Sequence, residues 1–182
     1  MKRFNRQNQL FSLCGLNCGL CPMFLNKNCP GCGGGEGNQP CRIARCSMEH
    51  GGVEYCFQCS EYPCEKYKHI DDTDSFITHR NQKSDLEKAQ QIGMDAYNTE
   101  QTEKSRILDI LLSGYNDGRK KTLFCAAVNL LDGHELQEVL RRIEHRTDME
   151  TLTLKERGAF VASLLQDTAA MKNIDLRLRK KK

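Results

Sequence analysis

Ten of the chain's eleven cysteines lie between Cys14 and Cys64. They are Cys14, Cys18, Cys21, Cys29, Cys32, Cys41, Cys46, Cys56, Cys59 and Cys64. Three C-x2-C pairs stand out: Cys18/Cys21, Cys29/Cys32 and Cys56/Cys59. Two intervening residues let one tight turn present both sulfurs to a tetrahedral ion. Cys29-Pro30-Gly31-Cys32-Gly33 has the composition of a zinc knuckle, in which backbone N–H groups point at the sulfurs and delocalise thiolate charge. Two knuckles complete a four-cysteine site, and Cys56-Phe57-Gln58-Cys59 is a candidate partner for the first. All ten cysteines are candidate metal ligands, enough for about two zinc ions.

The ligand partition stays open. In sequential order, Cys29/Cys32 pairs with Cys41/Cys46, and Cys14/Cys18/Cys21 joins the Cys56–Cys64 group. Cys64 follows Pro63 and is expected in the first turn of a helix, where the dipole favours thiolate. His50 stands four residues after Cys46 and could replace a sulfur, but a surface or hydrogen-bonded role is the expectation. Iron–sulfur ligation is the rival to zinc. Cys14, Cys18 and Cys21 have the C-x3-C-x2-C spacing of cluster-binding radical enzymes, and Cys21-Pro22 suits a [4Fe–4S] ligand set. A full (β/α)8 barrel needs roughly 250 residues, and the chain has 182. Ferredoxin spacing is also absent. The CxxC pairs and the knuckle turn favour zinc.

Other reactive side chains read as structural. Cys125 lies in an apolar stretch and is expected as a small core residue. His69, His79, His134 and His145 show no ligand spacing, and His145 is expected as a solvated helix cap. The run Gly33-Gly-Gly-Glu-Gly37 lacks a following Lys-Ser/Thr and reads as a turn between ligands. No HExxH, P-loop, GxGxxG or GxSxG motif occurs. A zinc enzyme would need an open coordination position, and a surplus of ligands argues against one. A non-enzymatic protein is therefore expected.

The elements that must position these residues differ along the chain. Residues 1–70 hold all four prolines and nine of the fourteen glycines, so loops are expected. Large apolar residues are sparse there, and metal is expected to supply the missing folding energy. Residues 71–182 read as a helical region. A helix capped by Asp74-Ser75 is expected to run to about Gly93, with Ile77, Leu86, Ala89 and Ile92 as its apolar positions. A second is expected near residues 100–115, stopped at Asn116-Asp-Gly118. Thr122–Leu131 reads as a buried helix. Leu136, Val139, Leu140 and Ile143 make a further helical face, and a last helix follows Thr153 with Phe160, Val161, Leu164, Leu165 and Thr168 inward. The fold class is mainly α: a cysteine-rich, metal-stabilised N-terminal region and a C-terminal small helical bundle.

Formal charge is +3. Two four-thiolate zinc sites would shift it by about −4, so basicity is a poor argument for nucleic-acid binding. Residues 71–176 hold 14 basic and 19 acidic side chains, whereas Arg177–Lys182 holds five basic ones and is expected as a solvated end. Arg119–Lys121 and this tail have little aromatic interleaving for stacking bases. A protein partner is favoured over nucleic acid. No apolar run approaches the ~20 residues of a membrane span. The basic N-terminal stretch is not followed by the hydrophobic run of a secretory signal, so a reducing cytosol, where disulfides do not persist, is expected.

Cys14-Gly-Leu-Asn-Cys18-Gly-Leu-Cys21-Pro, Cys29-Pro-Gly-Cys32, Cys41-Arg-Ile-Ala-Arg-Cys46, Glu54-Tyr-Cys56-Phe-Gln-Cys59-Ser-Glu-Tyr-Pro-Cys64 and Leu86-Glu-Lys-Ala-Gln-Gln-Ile-Gly93 resemble an uncharacterised prokaryotic family. It is the domain-of-unknown-function family thirty-seven ninety-five. The resemblance spans roughly residues 12–98 and implies zinc binding at the ten cysteines. It implies no reaction and no partner. Some members carry a further cysteine pair after the Ile-Gly helix, which this chain lacks.

Overall fold

A computed structural model describes residues 4–35 and 41–180. Seven α-helices and no strand are found among the described residues: α1 (Pro22–Leu25), α2 (Arg42–Glu49), α3 (Gln82–Ile92), α4 (Met94–Tyr115), α5 (Lys121–Leu130), α6 (Gly133–Glu144) and α7 (Leu154–Met171). The fold is mainly α, with a cysteine-rich N-terminal region and a helical C-terminal region, as its sequence patterns predict. No described helix is long and apolar enough to cross a membrane.

Two compact units form: residues 1–101 with 178–182, and residues 102–177. This line differs from the change of composition near residue 70. The physical reason is an aromatic core. Phe11, Tyr55 and Tyr67 are buried together with Leu86 and Ala89 of α3 and Tyr97 of α4. The Phe11 ring lies 4.6 Å from that of Tyr97 and 5.8 Å from that of Tyr55. The cysteine-rich loops thus draw apolar area from residues beyond 70. A second small core joins Phe4, Leu13, Ile43 and Ala44.

The helix expected from Asp74 begins instead at Gln82. Asp74 Oδ1 accepts from the His79 backbone N–H at 2.8 Å, and both carboxylate oxygens engage Arg179. A carboxylate committed to those donors does not cap a helix. Gly93, at φ +84°, ends α3 as predicted, and α4 starts at Met94 rather than near residue 100. The basic tail is not a free end at Arg179. Its backbone N–H donates to Asp74 Oδ2 at 2.7 Å, and its carbonyl accepts from the Asp74 N–H at 2.9 Å. Lys181 and Lys182 lie outside the described residues.

In the second unit α7 packs against α5 and α6. Asn116 Oδ1 accepts from the backbone N–H groups of Gly118 and Lys120, both at 3.1 Å, so the predicted stop is built. α5 buries Phe124 through Leu130, Cys125 included. α6 buries Leu136, Val139 and Ile143. The Glu156 N–H donates to Thr153 Oγ1 at 3.3 Å, and the Thr153 N–H returns a bond to the Glu156 carboxylate at 2.9 Å. This capping box starts α7 where the sequence predicts it. His145 caps the end of α6 through its Nδ1, 2.7 Å from the Arg141 carbonyl oxygen.

Candidate metal centre

The ten clustered cysteines all fall in the first unit as free thiols. Nine are part-buried, and Cys41 is exposed. They gather in two neighbouring sets, bridged at Cys14, whose charge is also felt at Cys56. Cys14, Cys18, Cys32 and Cys41 form one, in which Cys14 and Cys32 both feel Cys41, and Cys18 feels Cys14 and Cys32. Cys21 and Cys29 stand at its edge: Cys21 feels Cys29 and adds to the potential at Cys18. Cys46, Cys56, Cys59 and Cys64 form the other group, lining one cavity with Ile43 and Val53. Cys56 and Cys59 thus share a cavity lining with Cys46 and Cys64, and Cys29 and Cys32 are not part of that lining. Cys41 and Cys46, neighbours in sequence, go to different groups. Among the described residues, no three His, Cys, Asp or Glu side chains already stand at ligand spacing.

The first group is held by short loops. Backbone N–H groups of Met23 and Phe24 are directed at the Cys21 sulfur, and that of Leu16 at Cys14. This is knuckle geometry, found here at Cys14 and Cys21. In the Cys29–Gly33 turn, Gly31 and Gly33 take φ +84° and +79°. A Cβ on Gly33 would stand 2.7 Å from Arg6 Cγ, and one on Gly31 2.7 Å from the Gln9 carbonyl oxygen. Only glycine admits so close an approach of the Arg6–Gln9 segment. Glu36 and Gly37 of the glycine run lie outside the described residues.

Arg6 crosses behind this turn with 6% of its surface exposed. Its Nη1 donates to the carbonyls of Asn8 and Phe11, both at 2.9 Å, and its Nε to that of Glu54 at 3.0 Å. Glu54 Oε1 is 3.3 Å from Nη2. Burial raises the Cys32 pKa, and the Arg6 charge works against that rise. Burial likewise pushes the Cys14 thiol up to about 11 and raises Cys18 further, with neighbouring cysteines adding to both. Arg6 carries no signal in the sequence, because an isolated arginine eight residues before Cys14 has no ligand spacing.

Asn17 ties the Cys14–Cys18 loop to α3 and α4. The Tyr97 hydroxyl donates to Asn17 Oδ1 at 3.0 Å, and Asn17 Nδ2 donates to Asp85 Oδ2 at 2.8 Å. Gly15, at φ +98°, lies so near α3 that a Cβ would meet the Gln82 carbonyl oxygen at 2.1 Å.

In the second group Cys46 comes from α2. Cys56 and Cys59 open and close a 3-10 turn on which α3 packs. Cys64 precedes the 3-10 turn Glu65–Tyr67 as its N-cap rather than sitting in an α-helical first turn. Burial pushes the Cys56 thiol up to about 12, opposed by the Tyr67 hydroxyl. The Lys66 ammonium sits beside the Cys46 sulfur, and that contact raises its pKa. His50 Nδ1 lies 2.8 Å from the Cys46 carbonyl oxygen, and its Nε2 3.3 Å from Glu61 Oε1. Both ring nitrogens have partners, the hydrogen-bonded role its position suggests.

Residues 10–69, which contain every one of these ten thiols, match the family model described as Protein of unknown function (DUF3795). No curated protein and no solved structure matches the chain.

Proposed function

We propose that the domain of this uncharacterised family at residues 10–69 binds about two zinc ions and acts as a metal-scaffolded interaction module. The observation that carries the reading is the convergence of eight thiols into two groups inside one small unit. Uncharged thiols would leave these loops held by two small apolar cores. Thiolates alone would repel one another. A divalent cation resolves both problems, since it lowers thiol pKa, cross-links the loops and contributes folding energy. The backbone N–H groups aimed at Cys14 and Cys21 suit thiolate ligands.

The donor set is all sulfur, which suits zinc or an iron–sulfur cluster and disfavours magnesium or calcium. The cavity lined by Cys46, Cys56, Cys59 and Cys64 has a volume of about 20 Å³, room for an ion rather than an organic substrate. The basic tail has carboxylate partners at Arg177 and Arg179. This reduces the tail's free positive charge for a nucleic acid, in keeping with a protein partner.

The test is elemental analysis of anaerobically purified full-length chain, with a visible spectrum of the same sample. Colourless protein with about two zinc per chain supports the reading. Brown protein with iron and labile sulfide overturns it in favour of an iron–sulfur redox or accessory protein.

A further inference from the structure

We propose that Cys46, Cys56, Cys59 and Cys64 constitute a complete four-thiolate zinc site of their own, in which the Tyr67 hydroxyl is the hydrogen-bond donor to Cys56. The proposal rests on the zinc reading and specifies which ligands share an ion.

Four observations carry it. First, the four sulfurs come from separate elements, α2 and two 3-10 turns, yet line one cavity. An ion there would join segments that share little regular hydrogen bonding. Second, Ser47 and His50 of the lining are engaged in bonds of their own. Ser47 Oγ donates to the Val53 carbonyl at 2.8 Å, and His50 faces Glu61 and the Cys46 carbonyl. The four thiols are the soft donor set of the lining, the one that suits zinc. Third, the Tyr67 hydroxyl is buried without a hydrogen-bond partner, on a residue 4% exposed. It faces Cys56 closely enough for each group to perturb the other.

A buried phenol O–H without a partner is costly. A thiol sulfur is a weak acceptor, whereas a zinc-bound thiolate accepts a charge-assisted bond. The orphan hydroxyl is thus accounted for by an ionised Cys56. Fourth, Lys66 stands beside Cys46. Four thiolates and one zinc ion carry a net charge of about −2. An ammonium and a phenol O–H offset part of it, the outer-shell pattern that tunes thiolate sites. The remaining group has a separate compensating charge, Arg6 at Cys32. On binding, each thiol gives its proton to solvent as its sulfur takes the metal.

The test loads full-length wild type, Cys59→Ser/Cys64→Ser, Cys18→Ser/Cys32→Ser and Tyr67→Phe with Zn2+ or Co2+. Metal per chain, the cobalt–thiolate absorption and the helical circular dichroism are read together. Each double variant should hold one ion where wild type holds two. Tyr67→Phe should keep two ions, one of them bound roughly 10–100-fold more weakly. A folded Cys59→Ser/Cys64→Ser variant that keeps two ions, or loses both, overturns the assignment. If that variant does not fold, Tyr67→Phe decides: two ions held as tightly as in wild type overturn the proposal. Wild type that binds no zinc at all removes the underlying metal reading instead.

Discussion

The Asp74 carboxylate, with none of its side chain exposed, is held 3.0 Å from Arg179 Nη2, joining two residues more than one hundred positions apart. Arg80 Nη2 stands 3.7 Å from the other carboxylate oxygen. Burial alone would raise the Asp74 pKa, but the hydrogen bonds from Arg179 and from the His79 N–H outweigh it and hold the value at about 2.

That depression makes the clip acid-sensitive. A carboxylate whose folded pKa lies below its unfolded value stabilises the fold above the unfolded pKa. The contribution disappears as pH falls from about 4 to about 2. Asp74→Asn should therefore cost about 1–2 kcal/mol at pH 7 and almost nothing at pH 2. Denaturation midpoints of variant and wild type, compared at each pH, check this. A constant difference across the range would show that charge is not the cause.

Gly15 and Gly51 separate two effects of a side chain. Both have positive φ, +98° and +82°. A Cβ on Gly51 meets nothing within 4 Å, whereas on Gly15 it meets backbone of Gln82. Gly51→Ala should cost about 1 kcal/mol, the conformational strain alone. Gly15→Ala should cost more than about 3 kcal/mol, because α3 must move away. Equal losses on chemical denaturation would contradict the close approach of the Cys14–Cys18 loop to α3.

Tyr97→Phe removes the donor to Asn17 Oδ1 while keeping the ring against Phe11. The buried amide oxygen is left unpaired, at a cost of about 1–3 kcal/mol. Because Asn17 directly precedes Cys18, metal should also leave the variant faster under chelator challenge. Unchanged release kinetics would mean that the loop is held by other contacts.

The two units should respond differently to metal removal. A strong chelator should erase the near-ultraviolet signal of Tyr55, Tyr67 and Tyr97, which lie in the core of the cysteine-rich unit. The helices α5, α6 and α7 should persist in the far ultraviolet, since they bury their apolar faces within the second unit. Cys125→Ser should leave metal content unchanged and cost about 1–3 kcal/mol, because it buries a hydroxyl in α5. Loss of metal in that variant would place Cys125 among the ligands.

Much of the architecture was legible in local pattern. The helical period of Leu136, Val139 and Ile143 reports the buried face of α6. Asn116, Gly118 and Thr153 mark ends, since caps are chemistry between residues two to four apart. Cysteine identity and spacing nominated the candidate ligands for the same reason. Asp74 shows the limit of local reading: it resembles an N-cap, but its partner Arg179 is remote in sequence, and only folding brings the charge to it.

The sequence by itself determined a mainly helical chain, its cysteine-rich N-terminal domain and the set of thiols available. Tertiary structure decided how those thiols are grouped. Spacing records which sulfurs can share a turn, but it says nothing of which turns meet. Cys46 and Cys56 meet because Ile43 of α2 and the aromatic core around Tyr55 and Tyr67 bury the segments between them. Long-range burial is a property of the packed chain, as are the enclosed Arg6 guanidinium and the orphan Tyr67 hydroxyl. No window of neighbouring residues contains either.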